Sequence, residues 1–356
     1  MPQNERGDGP MSMEQQPLME IKGLKKYYPI RNGILPHTVG YIHAVDGVDF
    51  EIYPGETLGL VGESGCGKST IGKQLVALES PTEGSISYNG KPLDERSAKR
   101  IKQIRTQIQM VFQDPYTSLN PRKRIFDLLS YPMLYHGICS GREVEGQIDG
   151  LLDMVGLPKN TKDRYPHEFS GGQRQRIGIA RALSLQPRMI VCDEPVSALD
   201  VSIQAQILNL LRSLQKELKL TYLFIGHGLD AVKYISDRIA VMYLGKIVEI
   251  AASTELFENP VHPYTQALCS AAPVPDPEAR DRKRVILQGE LPSNKDIPSG
   301  CRFHSRCPYA IASCRTSEPV LKPIYPGSEH LAACPVLIAG VRGKEDRCLN
   351  ISSSVF

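Results

Sequence analysis

Apolar positions change period several times along this chain, and the changes lay out its elements. Thr57-Leu-Gly-Leu-Val61, Ile108-Gln-Met-Val-Phe112, Met189-Ile-Val-Cys192 and Tyr222-Leu-Phe-Ile225 are short, β-rich apolar runs, the pattern of strands buried on both faces. Thr70 to Leu78, Ile125 to Tyr135, Val144 to Met154 and Gln173 to Leu183 read instead as helices. The order predicts an α/β protein: a strand-rich start at 18–112, a helical insertion at about 115–182, and a return to strand and helix at about 186–252. Ile30 to Tyr41 is punctuated by Gly and Pro and reads as a hairpin loop or insertion. Pro260, Pro263, Pro273, Pro275 and Pro277 mark a change of regime. The polar stretch Met1 to Gln16 has no apolar core, so it reads as a disordered leader rather than a signal peptide.

Composition narrows the classes. The chain has 356 residues, 41 % of them apolar, enough for one large α/β domain and a smaller appendage. A net charge of +3 is too weak to argue for nucleic acid. No apolar run approaches bilayer-spanning length, so a cytosolic protein is expected, peripheral if it serves a membrane complex.

The chemistry sits at strand ends. Gly62-Glu63-Ser64-Gly65-Cys66-Gly67-Lys68-Ser69, between the first run and a helix opening at Thr70, matches G-x-x-x-x-G-K-[ST]. Glycines let successive N–H groups converge on phosphates. Lys68 adds a point charge, the Ser69 hydroxyl can ligate Mg²⁺, and the helix N-terminus faces the anion. Asp193 and Glu194 close the run Met189–Cys192; Asp193 suits the Mg²⁺ and Glu194 the general base for an attacking water. About a hundred residues after the phosphate loop, Phe169-Ser170-Gly171-Gly172-Gln173 forms a glycine-opened helix start, a second anion-binding surface.

Together with Gln113, Ser197-Ala-Leu-Asp200 and His227, these residues make residues 18 to 335 resemble the nucleotide-binding subunit of an ABC transporter. The resemblance implies a P-loop ABC ATPase with a RecA-like core and an inserted helical subdomain. It implies that Ser170, Gly171, Gly172 and Gln173 close on the γ-phosphate bound to the opposite subunit. Gln113 would sense the γ-phosphate and Mg²⁺ and touch the membrane partner. His227 would contact the γ-phosphate, and Asp200 would join the nucleotide-binding set. Tyr28 sits where the family stacks an aromatic on adenine, with Tyr27 as the alternative. The family usually reads Ser-His-Asp where this chain has Gly226-His227-Gly228, and two glycines would loosen that loop.

Four of the nine cysteines, Cys301, Cys307, Cys314 and Cys334, fall within 34 residues as C-x5-C-x6-C-x19-C. Disulfides are disfavoured in the cytosol, so the thiols are unrelated or share a metal. Structural zinc usually shows C-x2–4-C pairs, absent here; an iron–sulfur cluster tolerates longer spacings. The region also resembles the C-terminal extension of peptide-importer ATPases, through His262-Pro-Tyr-Thr265 and Gly289-Glu-Leu-Pro292. In that extension the cysteines can hold a [4Fe–4S] cluster. His304 and His330 are spare ligands at most and read as surface residues. Cys66, Cys139, Cys269 and Cys348 have no partner spacing, and Cys192 reads as core.

The resulting expectation is the ATPase of a dipeptide/oligopeptide importer, binding ATP and Mg²⁺ on the cytoplasmic face of the inner membrane. It divides into a leader (1–17), an ABC domain (18–260), a cysteine-bearing extension (261–335) and a tail (336–356). A paralogous ATPase, two permeases and, indirectly, an extracytoplasmic peptide-binding protein would complete the importer. The rivals are a nickel importer ATPase, a soluble non-transport ABC protein, and an ATPase regulated by its cluster.

Overall fold

β-Rich segments build two sheets in the computed structural model, which describes residues 16–32, 37–93, 98–271 and 292–339. In chain order the elements begin with β1 (Met19–Asn32), β2 (His37–Ile52), β3 (Thr57–Val61), α1 (Lys68–Leu75), β4 (Glu83–Tyr88), β5 (Lys91–Pro92), α2 (Ala98–Gln107) and β6 (Ile108–Val111). Four helices follow: α3 (Pro115–Ser118), α4 (Ile125–His136), α5 (Val144–Met154) and α6 (Gly171–Leu183). The chain returns through β7 (Met189–Asp193), α7 (Val201–Leu218), β8 (Thr221–Gly226), α8 (Leu229–Ile235), β9 (Arg238–Tyr243) and β10 (Lys246–Ala252). It ends in α9 (Ser253–Glu258), α10 (Pro263–Ala271), β11 (Lys322–Pro323) and β12 (Leu331–Ala332). Most of the expected leader, Pro273, Pro275, Pro277, Gly289 to Leu291, Cys348 and most of the tail lie outside the described residues.

The smaller sheet is antiparallel, in the order β2-β1-β4-β5. Ile30 to Tyr41, expected as a loop, is mostly paired strand: Ile30 faces Gly40 and Arg31 faces Thr38. Thr38, Val39, Tyr41 and Ile42 favour a pleated strand, while Gly33 and Pro36 lie outside the described residues.

The larger sheet runs β11-β12-β10-β9-β3-β8-β7-β6, with β9, β3, β8, β7 and β6 mutually parallel. Strands β3, β7 and β8 are buried at every residue, which is why they read as unbroken apolar runs. Alternate residues serve opposite cores, as the two-residue strand period requires. Met189 and Val191 join the core beneath the small sheet, while Ile190 and Cys192 join the core beneath α4 to α8.

Strand β12 pairs antiparallel with β10, Glu249 opposite Ala332 and Ile250 opposite Leu331, so the C-terminal region extends the main sheet. His330, read from sequence as a surface residue, is fully buried there. Its Nε2 lies 2.6 Å from Glu249 Oε1 and its Nδ1 3.0 Å from Glu255 Oε1. Polarity suggested exposure, but two carboxylates supply the partners that burial demands. Burial alone would lower the His330 pKa; the bonds and charges of Glu249 and Glu255 outweigh it and raise it. A raised histidine contributes stability that is complete below the unfolded value of about 6.5 and is lost as pH climbs through the folded one. His330→Gln should therefore cost about 2–3 kcal/mol at pH 6 and progressively less in alkali. Urea melts of both proteins across pH check this; an equal loss at all pH values would refute the charged pairing.

Candidate active site

The phosphate loop leaves the buried end of β3 and enters α1, as strand, glycine loop and helix should. Gly67 is the N-cap of α1 at φ +109°, and a Cβ there would stand 2.0 Å from the Ala44 carbonyl oxygen, so only glycine fits. Lys68 is buried, its Nζ donating to the carbonyls of Gly62 (2.8 Å) and Glu63 (3.1 Å). Ser64 and Gly65 are exposed at the crest of the loop.

Parallel pairing of β7 with β8, and of β8 with β3, sets Asp193 beside the loop. The Ser69 hydroxyl donates to Asp193 Oδ1 at 2.8 Å. Burial raises the Asp193 carboxyl above its usual range, opposed by that bond and by Lys73 and Lys68. The pair is a hard oxygen donor set of the kind Mg²⁺ takes.

Glu194 is buried and held from two sides. Gln113 Nε2 donates to Oε2 at 2.7 Å, and His227 Nε2 lies 2.5 Å from Oε1. Its backbone is left-handed, φ +47°, with its N–H bonded to the Ile225 carbonyl. Such a conformation in a non-glycine residue is strained and needs surrounding structure to hold it. Thus residues read from three separate strand ends come together: Gln113 and His227 meet on Glu194, and the adjacent Asp193 bonds Ser69 at the end of the phosphate loop. The two glycines beside His227 play different parts. Gly226 ends β8, where a Cβ would come 2.7 Å from Val232 Cγ2, so close packing explains it; Gly228 is the N-cap of α8 in open space.

Adjacent tyrosines part company on β1. The Tyr28 hydroxyl bonds Glu79 and Thr70, facing α1. The Tyr27 hydroxyl bonds Asp46, and its ring packs on His43 at 4.2 Å. Tyr28 is therefore the ring beside the phosphate-binding helix.

Ser170 caps α6 in a reciprocal box with Gln173, and both are exposed. Gly172 is required by contact: a Cβ would stand 2.5 Å from Ile203 Cγ2. Asp200 caps α7, accepting from Ile203 N at 3.0 Å and Ser202 Oγ at 2.7 Å. The exposed helix start thus rides on the Asp200 segment of the same chain.

Comparisons with known proteins give the family and the fold. The family model described as ABC transporter matches residues 45–197, and that described as oligopeptide/dipeptide transporter, C-terminal region, matches 248–314. The oligopeptide transport ATP-binding protein AppF of Bacillus subtilis is 52 % identical over 322 residues, 90 % of this chain and 97 % of the relative. OppF of Salmonella typhimurium, of the same description, is 49 % identical over 324 residues, 89 % of this chain and 95 % of the relative. This chain belongs to the ATP-binding subunits of oligopeptide/dipeptide ABC importers. Among solved structures, the dimeric MJ0796 ABC transporter cassette shares 28 % identity at TM-score 0.59, covering 66 % of this chain and 98 % of that one. As a peptide-import ATPase, the subunit hydrolyses ATP, with Mg²⁺ expected at the site, and such subunits dimerise and act with transmembrane permeases. No described helix is long and apolar enough to cross a membrane.

The importer subunit's C-terminal region brings Cys301, Cys307, Cys314 and Cys334 around one cavity of about 100 Å³, with His304 on its wall. Cys301 N donates to Cys314 O at 2.8 Å, tying two of them together. Burial pushes the Cys301 thiol up to about 11, and the other three cysteines add to the rise. Among the described residues, however, no group of three or more His, Cys, Asp or Glu is arranged to hold a metal ion.

Sequence reasoning missed the contacts this region makes with the phosphate loop. Arg306, Tyr264 and Asn294 reach Glu63 and Gly65, and Arg302 pairs with Asp46. Tyr264 lay inside a motif already singled out and Arg306 abuts Cys307; the long separation from residue 63 hid the link.

Proposed function

We propose that the site works as follows in the assembled importer. Phosphates lie on the amides of Gly65 to Ser69 and on Lys68; Ser69, Asp193 and Gln113 serve Mg²⁺, which would neutralise developing phosphate charge. Glu194 takes the proton of the attacking water, oriented by Gln113 and His227. The observation that carries this is the two-sided hold on Glu194, beside the Ser69–Asp193 pair. Tyr28 stacks on the adenine. Ser170, Gly171, Gly172 and Gln173, with Asp200 beneath, serve ATP on a second, paralogous ATPase.

The permease partner fits a groove of about 380 Å³ beside Gln113, lined by Phe112, Leu128, Tyr131, Pro132, Arg105 and Arg181. Phe112 and Tyr131 are exposed there, as apolar docking surfaces are. Two permeases at the inner membrane would hold the ATPase pair on the cytoplasmic face, with a peptide-binding protein on the other side. Co-purification in detergent tests the composition: one copy of this chain per two permeases is expected, and two copies would overturn the heterodimer.

The four thiols are read as ligands of a [4Fe–4S] cluster. A zinc ion needs its donors converging at about 2.3 Å on one point, whereas four thiolates around a cluster bind separate irons. The support for this reading is that all four thiols line one cavity, and that ligation would stabilise the Cys301, Cys307 and Cys334 thiolates that burial disfavours. Anaerobically purified protein should be brown and carry about four irons per chain. Serine at Cys301, Cys307, Cys314 or Cys334 should bleach it, and serine at Cys269 should not. Colourless protein with one zinc, or metal-free protein with four titrating thiols, would overturn the cluster.

A further inference from the structure

The phosphate loop of this chain is not free-standing. Tyr264, on α10, receives the Glu63 N–H on its hydroxyl at 2.8 Å. Arg306 Nη1 lies 3.1 and 3.0 Å from the two Glu63 carboxylate oxygens, with the arginine side chain only 9 % exposed. Asn294 Nδ2 donates to the Gly65 carbonyl at 2.6 Å, while the Asn294 backbone carbonyl accepts from His43 N at 3.0 Å. Tyr264, Tyr243 and Phe303 pack ring on ring behind these contacts, at centroid distances of 4.7 to 5.6 Å. Three residues separated by about 200 or more positions from the loop therefore grip its outer bend at a peptide N–H, a carboxylate and a carbonyl.

We infer that Arg306 and Tyr264, assisted by Asn294, are positioning residues for ATP, holding Glu63 and Gly65 so that the inner amides of the loop converge before nucleotide arrives. A glycine-rich loop left to itself samples many conformations, and ordering it on binding costs affinity. A brace set in the folded protein removes that cost from the binding step. None of the three touches the Ser69–Asp193 pair or Glu194, so the effect falls on nucleotide affinity and spares the hydrolytic step. The inference rests on Gly62–Ser69 being the nucleotide site, and Lys68→Ala is the control: affinity indifferent to Lys68 would fault that reading rather than the brace.

The test uses the full chain for equilibrium binding of a fluorescent ATP analogue and the assembled importer for turnover. Arg306→Gln removes a charge-assisted, partly buried bond and should weaken ATP binding roughly five- to tenfold. The KM for ATP should rise in parallel, with kcat within about twofold of wild type. Tyr264→Phe keeps the ring packing and deletes only the hydroxyl, so it should fold normally and weaken binding roughly threefold. Arg306→Lys should recover part of the lost affinity. In a double-mutant cycle, Glu63→Gln added to Arg306→Gln should cost less than the sum of the two. Wild-type affinity in both Arg306→Gln and Tyr264→Phe would overturn the brace. So would a fall of kcat and melting temperature with KM unmoved, which would mark the contacts as structural only.

Discussion

Glu194→Gln should leave ATP binding intact and slow hydrolysis in the assembled importer by about 10²-fold or more, the range of general-base contributions. Glutamine keeps the shape and still offers an oxygen to Gln113 Nε2, so the buried geometry around it survives. What is lost is the carboxylate proposed to take the proton. With binding spared and hydrolysis blocked, the two ATPases should remain closed on ATP, visible as a nucleotide-dependent dimer by size exclusion. The neighbouring groups are otherwise engaged: Asp193 is bonded to Ser69, and His227 is itself a partner of Glu194. Near-normal turnover in the variant would remove Glu194 from the role.

The second large effect separates the chain's two phosphate surfaces. Lys68→Ala deletes the buried ammonium of the loop and should weaken ATP binding by this chain roughly 10- to 100-fold, as expected for charge-assisted bonds. Ser170→Arg should leave that affinity alone, because Ser170 is exposed at the N-cap of α6 and its bonds are to residues of that helix's first turn. The bulky cation at the helix start should nevertheless cut turnover of the assembled importer by roughly 10²-fold, by spoiling the donors proposed above to serve the partner's nucleotide. Isothermal titration of each isolated variant and ATPase assays of each assembled one give both numbers. Equal loss of affinity in the two variants would contradict a second surface acting across the dimer.

Much of the site was legible because its chemistry is local. The phosphate loop, the apolar run into Asp193 and Glu194, and the Ser170 cap each declare themselves within a few residues, through spacing and through the chemistry that spacing allows. Strand positions followed from unbroken apolar runs and helix positions from a period of 3.6, and α5 emerged with the bounds its pattern gave. What stayed hidden was long-range. The β1–β2 hairpin looked like a loop because Gly33 and Pro36 punctuate it, yet pairing with a partner strand carried Arg31 and Thr38 into the sheet. His330 looked like a surface residue because nothing near it in sequence announces Glu249 or Glu255. Gly226 looked like a source of looseness until Val232 was seen against it. In each case the deciding partner lies across the fold or in the next element, beyond what a local pattern reports.

The pairing of β12 with β10 has a practical consequence for anyone wishing to trim this chain to a minimal cassette. A stop introduced before Leu331 would strip Glu249 and Ile250 of their strand partner, leave β11 unpaired, and bare the apolar strand β10 as the edge of the six strands that remain. Unpaired margins of that kind recruit other chains. The shortened product should therefore accumulate as insoluble aggregate, even though the cassette residues proposed above to hold nucleotide are still present.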